Sequence, residues 1–465
     1  MPQRPMYAML RSVSRRASLH MPGAQGRAPF GRIDPYRLDT TELPVTDDLY
    51  APVGAIDQAQ RLAAKSAGAA CTLMLHGGST AGVHTMLLYA ARPGETVSLP
   101  RNAQISALHI CALAGLTPVF AQPSYTAKGR PYTSLDAYLA AMAEHPEAKA
   151  VLAVRPDFYG MECDLAGLSQ AARERGMLTL CDEAHGACFN WDVASRNALQ
   201  CGADLAVQSA HKTLPALNAG AWLHGAEGVD APRLRRLLRM VQTSSPSFIT
   251  LLSLDDARAW MDDYGAAACQ RIRGALQRFL SQAEGLGYTD GRRDFPLELE
   301  KDDLRLVLDA PQGGETLAAQ LQERGLDVEM CDDAGIVCIL SLMDGEKRLK
   351  RLLGALTSLR AAEGKDGAPI ASVRVHTPPS IPPRDMPLCQ AAFAPFEAMP
   401  LAQTAGRISA GQAGLYPPGV AALTAGERVT EEIIAYLSTV DPRRVFGLNP
   451  DGTLNCVRQS KGVWS

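Results

Sequence analysis

Lys212 has the strongest claim to chemistry in this sequence. It stands in Gln208-Ser209-Ala210-His211-Lys212-Thr213-Leu214, just past the apolar run Leu205–Gln208. A lysine at the end of a buried strand, flanked by serine and histidine, is partly desolvated and pressed toward its neutral, nucleophilic amine. A second segment, Asp182-Glu183-Ala184-His185-Gly186, closes the apolar run Met177–Cys181. A carboxylate there can pair with a protonated ring nitrogen, and His185 can lie against such a ring or hydrogen-bond the carboxylate. A third, His76-Gly77-Gly78-Ser79-Thr80-Ala81-Gly82, lies between a strand and a helix. Its glycines let backbone approach an anion, its hydroxyls can donate, and free N–H groups at a helix start favour a phosphate.

Each segment alone has a plainer explanation: a solvated lysine, an acidic cap after a strand, a Gly-Ser turn with a capping serine. Together, a phosphate turn, an acid for a pyridinium and an amine for a Schiff base form the set that pyridoxal 5′-phosphate requires, with Lys212 as its carrier. The letters Asp-Glu-Ala-His also occur in nucleotide-driven helicases. Those need a G-x-x-x-x-G-K-[ST] loop, and here Lys65-Ser66 and Lys212-Thr213 lack the preceding glycine.

The elements that must position these residues follow a βαβ rhythm from about residue 70. Cys71–Leu75, Thr96–Leu99, Thr117–Ala121, Ala150–Val154, Met177–Cys181 and Leu205–Gln208 read as strands. Ala81–Ala91, closed by Arg92-Pro93-Gly94, and Leu165–Arg175, closed by Gly176, read as crossover helices. This predicts an α/β fold with a mostly parallel sheet, whose ligands bind beyond the carboxyl ends of the strands, where all three segments lie. A charged helix near Asp255–Gly285 leads into a smaller α/β domain, with strands Leu304–Leu308 and Ile336–Leu340 and helices Thr316–Arg324 and Lys347–Ala361. Five prolines within 377–388 mark a linker to a last segment. The domains expected are an arm (1–35), a large cofactor domain (36–270), a small α/β domain (271–376) and a C-terminal domain (377–465).

With 465 residues, 46% hydrophobic and 20% charged, the chain has the composition of an ordinary globular protein. A net charge of −3 leaves no basic footprint for nucleic acid, and no apolar run approaches the length of a membrane span. Eleven cysteines from Cys71 to Cys456 contain no C-x-x-C pair, which points to reduced thiols in the cytoplasm and to no metal site. Residues 1–33 carry Arg4, Arg11, Arg15, Arg16, Arg27 and Arg32 and no acid. This suits a transit peptide or a basic arm, and Met6, Leu10, Val13 and Ala17 at helical spacing favour a short docking helix.

At these residues the sequence resembles the fold-type I family of ornithine, lysine and arginine decarboxylases. His20-Met21-Pro22-Gly23 is similar to its H-x-P-G segment, and Asp39-Thr40-Thr41-Glu42-Leu43 with Asp47-Asp48-Leu49 to its opening. Pro100-Arg101-Asn102, Asp182–Gly186, Ser209–Leu214 and Ser253-Leu254-Asp255 follow its pattern. Ala405-Gly406-Arg407-Ile408-Ser409-Ala410, Tyr416-Pro417-Pro418-Gly419 and Gly426-Glu427 resemble its C-terminal domain. The resemblance implies the aspartate aminotransferase-like large domain, a small domain and a C-terminal decarboxylase domain. It implies decarboxylation of lysine, arginine or ornithine to an amine of the polyamine class. Lys212, Asp182 and His185 are then the catalytic residues, with Gly78, Ser79, Thr80, Gln104, Ser209 and His211 completing the cofactor site. It further implies a homodimer in which Thr243, Ser244 and Ser245 reach the partner's site. With few residues before His20, the resemblance is expected to be to the family's short form, without the receiver-like domain of its long forms.

The pattern is broken at four places. Gln104 stands where the family usually has a stacking histidine, with His109 five residues on; Ala24 and Gln25 replace His-Lys after H-x-P-G, and Cys188 replaces a second histidine after Asp182–Gly186. Such changes can redirect the cofactor toward transamination or elimination, or leave a cofactor-binding homologue without turnover.

Overall fold

The computed structural model describes residues 9–10, 14–31, 34–43, 45–362, 376–416 and 419–459. Met6, Val13, Arg4, Arg11 and Arg32 of the basic arm, and Pro417-Pro418, lie outside them. The chain divides into two compact units: Met1–Gly82, Arg155–Leu165 and Cys181–Val373 form the first, and Val83–Val154, Ala166–Leu180 and Arg374–Ser465 the second. Among the described residues no helix is long and apolar enough to cross a membrane.

Strand β1 (Ala17–Leu19) precedes the strands of the main sheet, β2 (Cys71–Leu75), β3 (Thr96–Pro100), β4 (Thr117–Ala121), β5 (Ala150–Val154), β6 (Leu178–Asp182), β7 (Leu205–Gln208) and β8 (Ala221–Gly225). In the first unit β2, β8, β7 and the end of β6 are neighbours in that order; in the second, the start of β6, β5, β3 and β4. The pairs β3–β4 and β3–β5 are parallel, as the βαβ rhythm predicts, and β8 runs antiparallel to both β7 and β2. The sequence reading names no strand at β8. All five of its residues are buried, so they lack the alternation of a half-exposed strand.

Met9 and Leu10 are helical and the Ser14 N–H donates to the Leu10 carbonyl, but Ala17 does not continue the expected arm helix. Ala17–Leu19 is a strand, paired parallel with Leu326–Val328. Ala17 and Leu19 are buried and Ser18 is not, and this period of two outweighs the helical spacing. Arg16 fixes the register by pairing with Asp327 and donating to the Gln322 carbonyl.

Helix α1 (Gly78–Ala90) begins at the glycine-rich turn. A Cβ on Gly82 would come 2.3 Å from Val207 Cγ2, so only glycine lets α1 lie this close to β7. Helix α2 (Ile105–Ala114) belongs to the second unit, and the short α3 (Ala210–Thr213) carries the lysine. Helix α4 (Phe248–Glu284) has 37 residues, about 55 Å at the usual rise, and starts from a Ser247 cap whose Oγ accepts the Thr250 N–H. Its inner face, including Leu254, Met261, Ile272 and Phe279, shares a core with Leu306, Leu308 and Ile336. Those last residues lie in an antiparallel sheet ordered Thr289–Asp290, Arg305–Asp309, Gly335–Ile339, Met330–Cys331.

In the second unit the motif residues Arg101 and Glu427 bind one another. Both are buried, and two guanidinium nitrogens lie 2.7 Å from the two carboxylate oxygens. Arg101 also donates to the carbonyls of Ala421 and Ala422 and covers the Phe120 ring at 4.5 Å. Glu427 accepts the Thr424 N–H as well. A buried charge pair is tolerated when its remaining polar groups are satisfied in this way.

Candidate active site

All of β7 is buried, and α3 starts one residue beyond it. Ser209 at that junction is fully buried, and its Oγ has no partner. An orphaned buried hydroxyl is costly, and this one is free to donate to a ligand. His211 directs both its backbone N–H and its Nδ1–H at the Gly220 carbonyl, at 3.1 and 3.0 Å. Next to Gly220, the Ala219 carbonyl accepts the Gly78 N–H at 2.9 Å. The dipeptide Ala219-Gly220 thereby ties the start of α1, with half-buried Ser79 and exposed Thr80, to the lysine loop. Gly78 has φ 71°, the left-handed conformation glycine adopts without strain.

The Lys212 amine lies 3.1 Å from His185 Nε2. Burial and the nearby Arg305 push its pKa down, against the pull of Asp182 and Glu329. Asp182 ends β6, buried, with one carboxylate oxygen accepting the Ala184 N–H at 3.1 Å. Burial raises its pKa, and the charge of Lys212 offsets part of that. One backbone bond leaves this carboxylate lone pairs for a further positive partner.

His185 is buried, edge-on to Phe158 with ring centroids 5.5 Å apart. Its Nδ1 lies 3.0 Å from Arg305 Nη2. Burial, Lys212, Arg305 and His211 hold its pKa well below the ordinary value, so the ring is neutral. Glu183 faces away from this group: Gln208 Nε2 donates to it at 2.7 Å and Arg155 approaches at 3.3 Å. Arg155 also pairs with Glu162.

Gln104 is exposed in the second unit and spends its Oε1 on the Ser106 N–H at 2.7 Å, capping α2. Thr243, Ser244 and Ser245 are exposed, and the neighbouring Gln242 accepts the N–H groups of His76 and Gly77. Gly77 is therefore committed to Gln242. Sequence reasoning missed Arg305, Glu329 and Phe158. An arginine inside the apolar strand Leu304–Leu308 was the available signal for the first.

The Gly23 N–H donates to the His211 carbonyl at 2.7 Å. A Cβ at Gly23 would meet Leu214 O and the Thr213 carbonyl carbon at 2.7 Å, so the early H-x-P-G segment lies directly under the lysine loop. Beyond it, Gln25 Nε2 donates to the His20 carbonyl and closes the turn.

Residues 30–283 match the family model for the Orn/Lys/Arg decarboxylase major domain, and residues 389–444 that for the Orn/Lys/Arg decarboxylase C-terminal domain. The chain is 32% identical over 460 residues to the uncharacterized protein YaaO of Bacillus subtilis (strain 168), with 93% of each covered. It is 30% identical over 480 residues to an arginine decarboxylase of the same strain, with 98% of each covered. The crystal structure of the Francisella novicida lysine decarboxylase superposes with a TM-score of 0.75 at 16% identity, over 88% of this chain and 72% of that one. The architecture is therefore the α/β fold with a mostly parallel sheet expected from the sequence.

Proposed function

This chain belongs to the Orn/Lys/Arg decarboxylase family, and from that premise we propose that it decarboxylates lysine, arginine or ornithine to the corresponding amine. Its fold is that of the fold-type I enzymes, and pyridoxal 5′-phosphate is the cofactor of the family. The observation that carries the reading is the Lys212 amine, held 3.1 Å from a neutral buried histidine and within the field of the buried Asp182.

The residues fit this cofactor. Ser209 has a free buried hydroxyl for its phosphate, and Gly78, Ser79 and Thr80 bring a helix N-terminus to the same loop. His211, with Nδ1 committed to Gly220, presents Nε2. Lys212 is the carrier, and Asp182 offers a carboxylate to the ring nitrogen. When bound, pyridoxal 5′-phosphate supplies an electron sink for the charge left by departing CO₂. Asp182 keeps a proton on that nitrogen. His185 would rest beside the ring, and Lys212 would hold the proton to be returned to the α-carbon.

The functional division we propose is cofactor domain 36–270, small domain 271–376 and C-terminal domain 377–465. The assembly we propose is a cytoplasmic homodimer, with the exposed Thr243, Ser244 and Ser245 reaching the partner's site and the product entering polyamine metabolism. The test is to incubate protein and Lys212→Ala with the cofactor and each of the three amino acids, following absorbance and CO₂. CO₂ from one substrate, abolished in Lys212→Ala, supports the reading. A Lys212-dependent band without CO₂ would replace it by another reaction of the same cofactor, and no band would remove the cofactor role itself.

A further inference from the structure

Arg305 is buried, 2% exposed, in the strand Arg305–Asp309. Such a cation is costly to bury without a purpose. Its closest anion, Asp302 Oδ2, is 4.0 Å from Nε, and Nη1 reaches the Phe158 carbonyl only at 3.5 Å. Its shortest polar contact is with a neutral ring, Nη2 to His185 Nδ1 at 3.0 Å. The other nitrogen of that ring is 3.1 Å from the Lys212 amine.

A guanidinium has donors and no acceptor, so His185 Nδ1 must present its lone pair. A neutral imidazole carries one N–H, which is then on Nε2, facing Lys212. An N–H can only donate, and an ammonium has no lone pair to receive it. The contact is therefore satisfied when Lys212 is the free amine. We propose that Arg305 is a positioning residue that fixes His185 as its Nε2–H tautomer, so that Lys212 faces a donor and stands ready as a nucleophile.

The proton that Lys212 gives up goes to water, because both ring nitrogens are engaged. The other charged and titratable groups acting on the pair are Asp182 and Glu329, which favour the ammonium, and His211, which adds in a minor way to the burial and the charges of Lys212 and Arg305 that keep His185 neutral. Asp157 and Asp302, on the far side, feel the charge of Arg305. The inference deepens the reading of Lys212 as cofactor carrier but does not depend on which bond the cofactor then breaks.

The experiment uses the full chain without cofactor, with ¹⁵N-histidine and the His185 signals identified by their loss in His185→Gln. The expected result is an unprotonated-type shift at Nδ1 and a protonated-type shift at Nε2, constant across neutral pH. The opposite pattern, or a mixture, in the wild type overturns the proposal without any variant at Arg305. In Arg305→Met the tautomers should mix. The pH midpoint for trapping Lys212 with a small aldehyde and borohydride, read by mass spectrometry, should rise on the order of one unit. Arg305→Lys, which keeps charge and donor, should restore both readouts. An Arg305→Met protein with unchanged shifts and midpoint overturns the role of Arg305. Failure to release CO₂ from any amino acid would leave these readouts untouched, and so separates the two claims.

Discussion

Gly23 donates its backbone N–H to the carbonyl of His211, one residue before the reactive lysine. With no room for a Cβ against Thr213 and Leu214, Gly23→Ala must displace the loop. Overpacking of this kind costs about 1–3 kcal/mol, and here it falls on the segment that carries Ser209 and Lys212. Titration of the variant with pyridoxal 5′-phosphate should give an affinity reduced roughly tenfold or more. Gly354→Ala, at a helical position with open space around it, should leave the titration unchanged.

Glu329 acts on Lys212 from the other direction. Its negative charge favours the ammonium, so Glu329→Gln should lower the pH at which Lys212 begins to capture an aldehyde. Asp182→Asn should lower it further, since Asp182 is the stronger of the two influences. It should also cost roughly 10²–10³-fold in kcat by removing a buried charge aimed at the reacting system. Rapid-mixing absorbance across a pH series measures the first effect, and CO₂ release the second. A rise of the midpoint in either variant would contradict the electrostatic account.

Arg155 carries one positive charge between two buried carboxyls, Glu162 and Glu183, each raised by burial to about 8. The folded protein therefore holds protons that the unfolded chain releases near the ordinary 4.5. By linkage, this contribution to stability is fully present below the unfolded value and is lost as pH rises through about 8. Urea midpoints should fall from neutral to mildly alkaline pH, and Glu162→Gln should flatten that decline. A midpoint that rises over this interval would oppose the assignment.

Arg101 and Glu427 should behave as a buried pair. Removing one partner, as in Arg101→Met, leaves a charge without compensation and costs about 3–5 kcal/mol. The double change Arg101→Met with Glu427→Leu should recover part of that loss in denaturant melts. If the double variant is as unstable as the sum of the singles, the contacts of Arg101 with the Ala421 and Ala422 carbonyls carry the energy instead.

The strands β2 to β7 and the crossover helices were legible because apolar runs, glycine stops and proline breaks lie at short range along the chain. Lys212, Asp182 and His185 were legible as types at strand ends, and the structure brings Lys212 and His185 into contact. What spacing cannot convey is a meeting between distant segments. Arg305 reaches His185, and Glu329 acts on Lys212, only because the small antiparallel sheet is folded into the first unit. Gln104 was read as a departure at a stacking position, while its side chain serves as a helix cap, a role that its place before Ile105 does not distinguish from the other. Ala17 was misplaced because three residues are too few for strand alternation to compete with a helical repeat.

The pairing of β1 with Leu326–Val328 also orders events during biosynthesis. At roughly 5–20 residues per second, the partner strand of Ala17–Leu19 leaves the ribosome about 15–60 s after it. Lys212 is made in the interval, while the segment that will lie beneath its loop is still untethered. A lysine in that nascent loop is hydrated and mostly protonated, and so slow to react with aldehydes. Arg305, whose charge adds to burial in lowering the pKa of Lys212, is itself translated after that lysine, so the nucleophilic amine belongs to the folded chain and not to the nascent one.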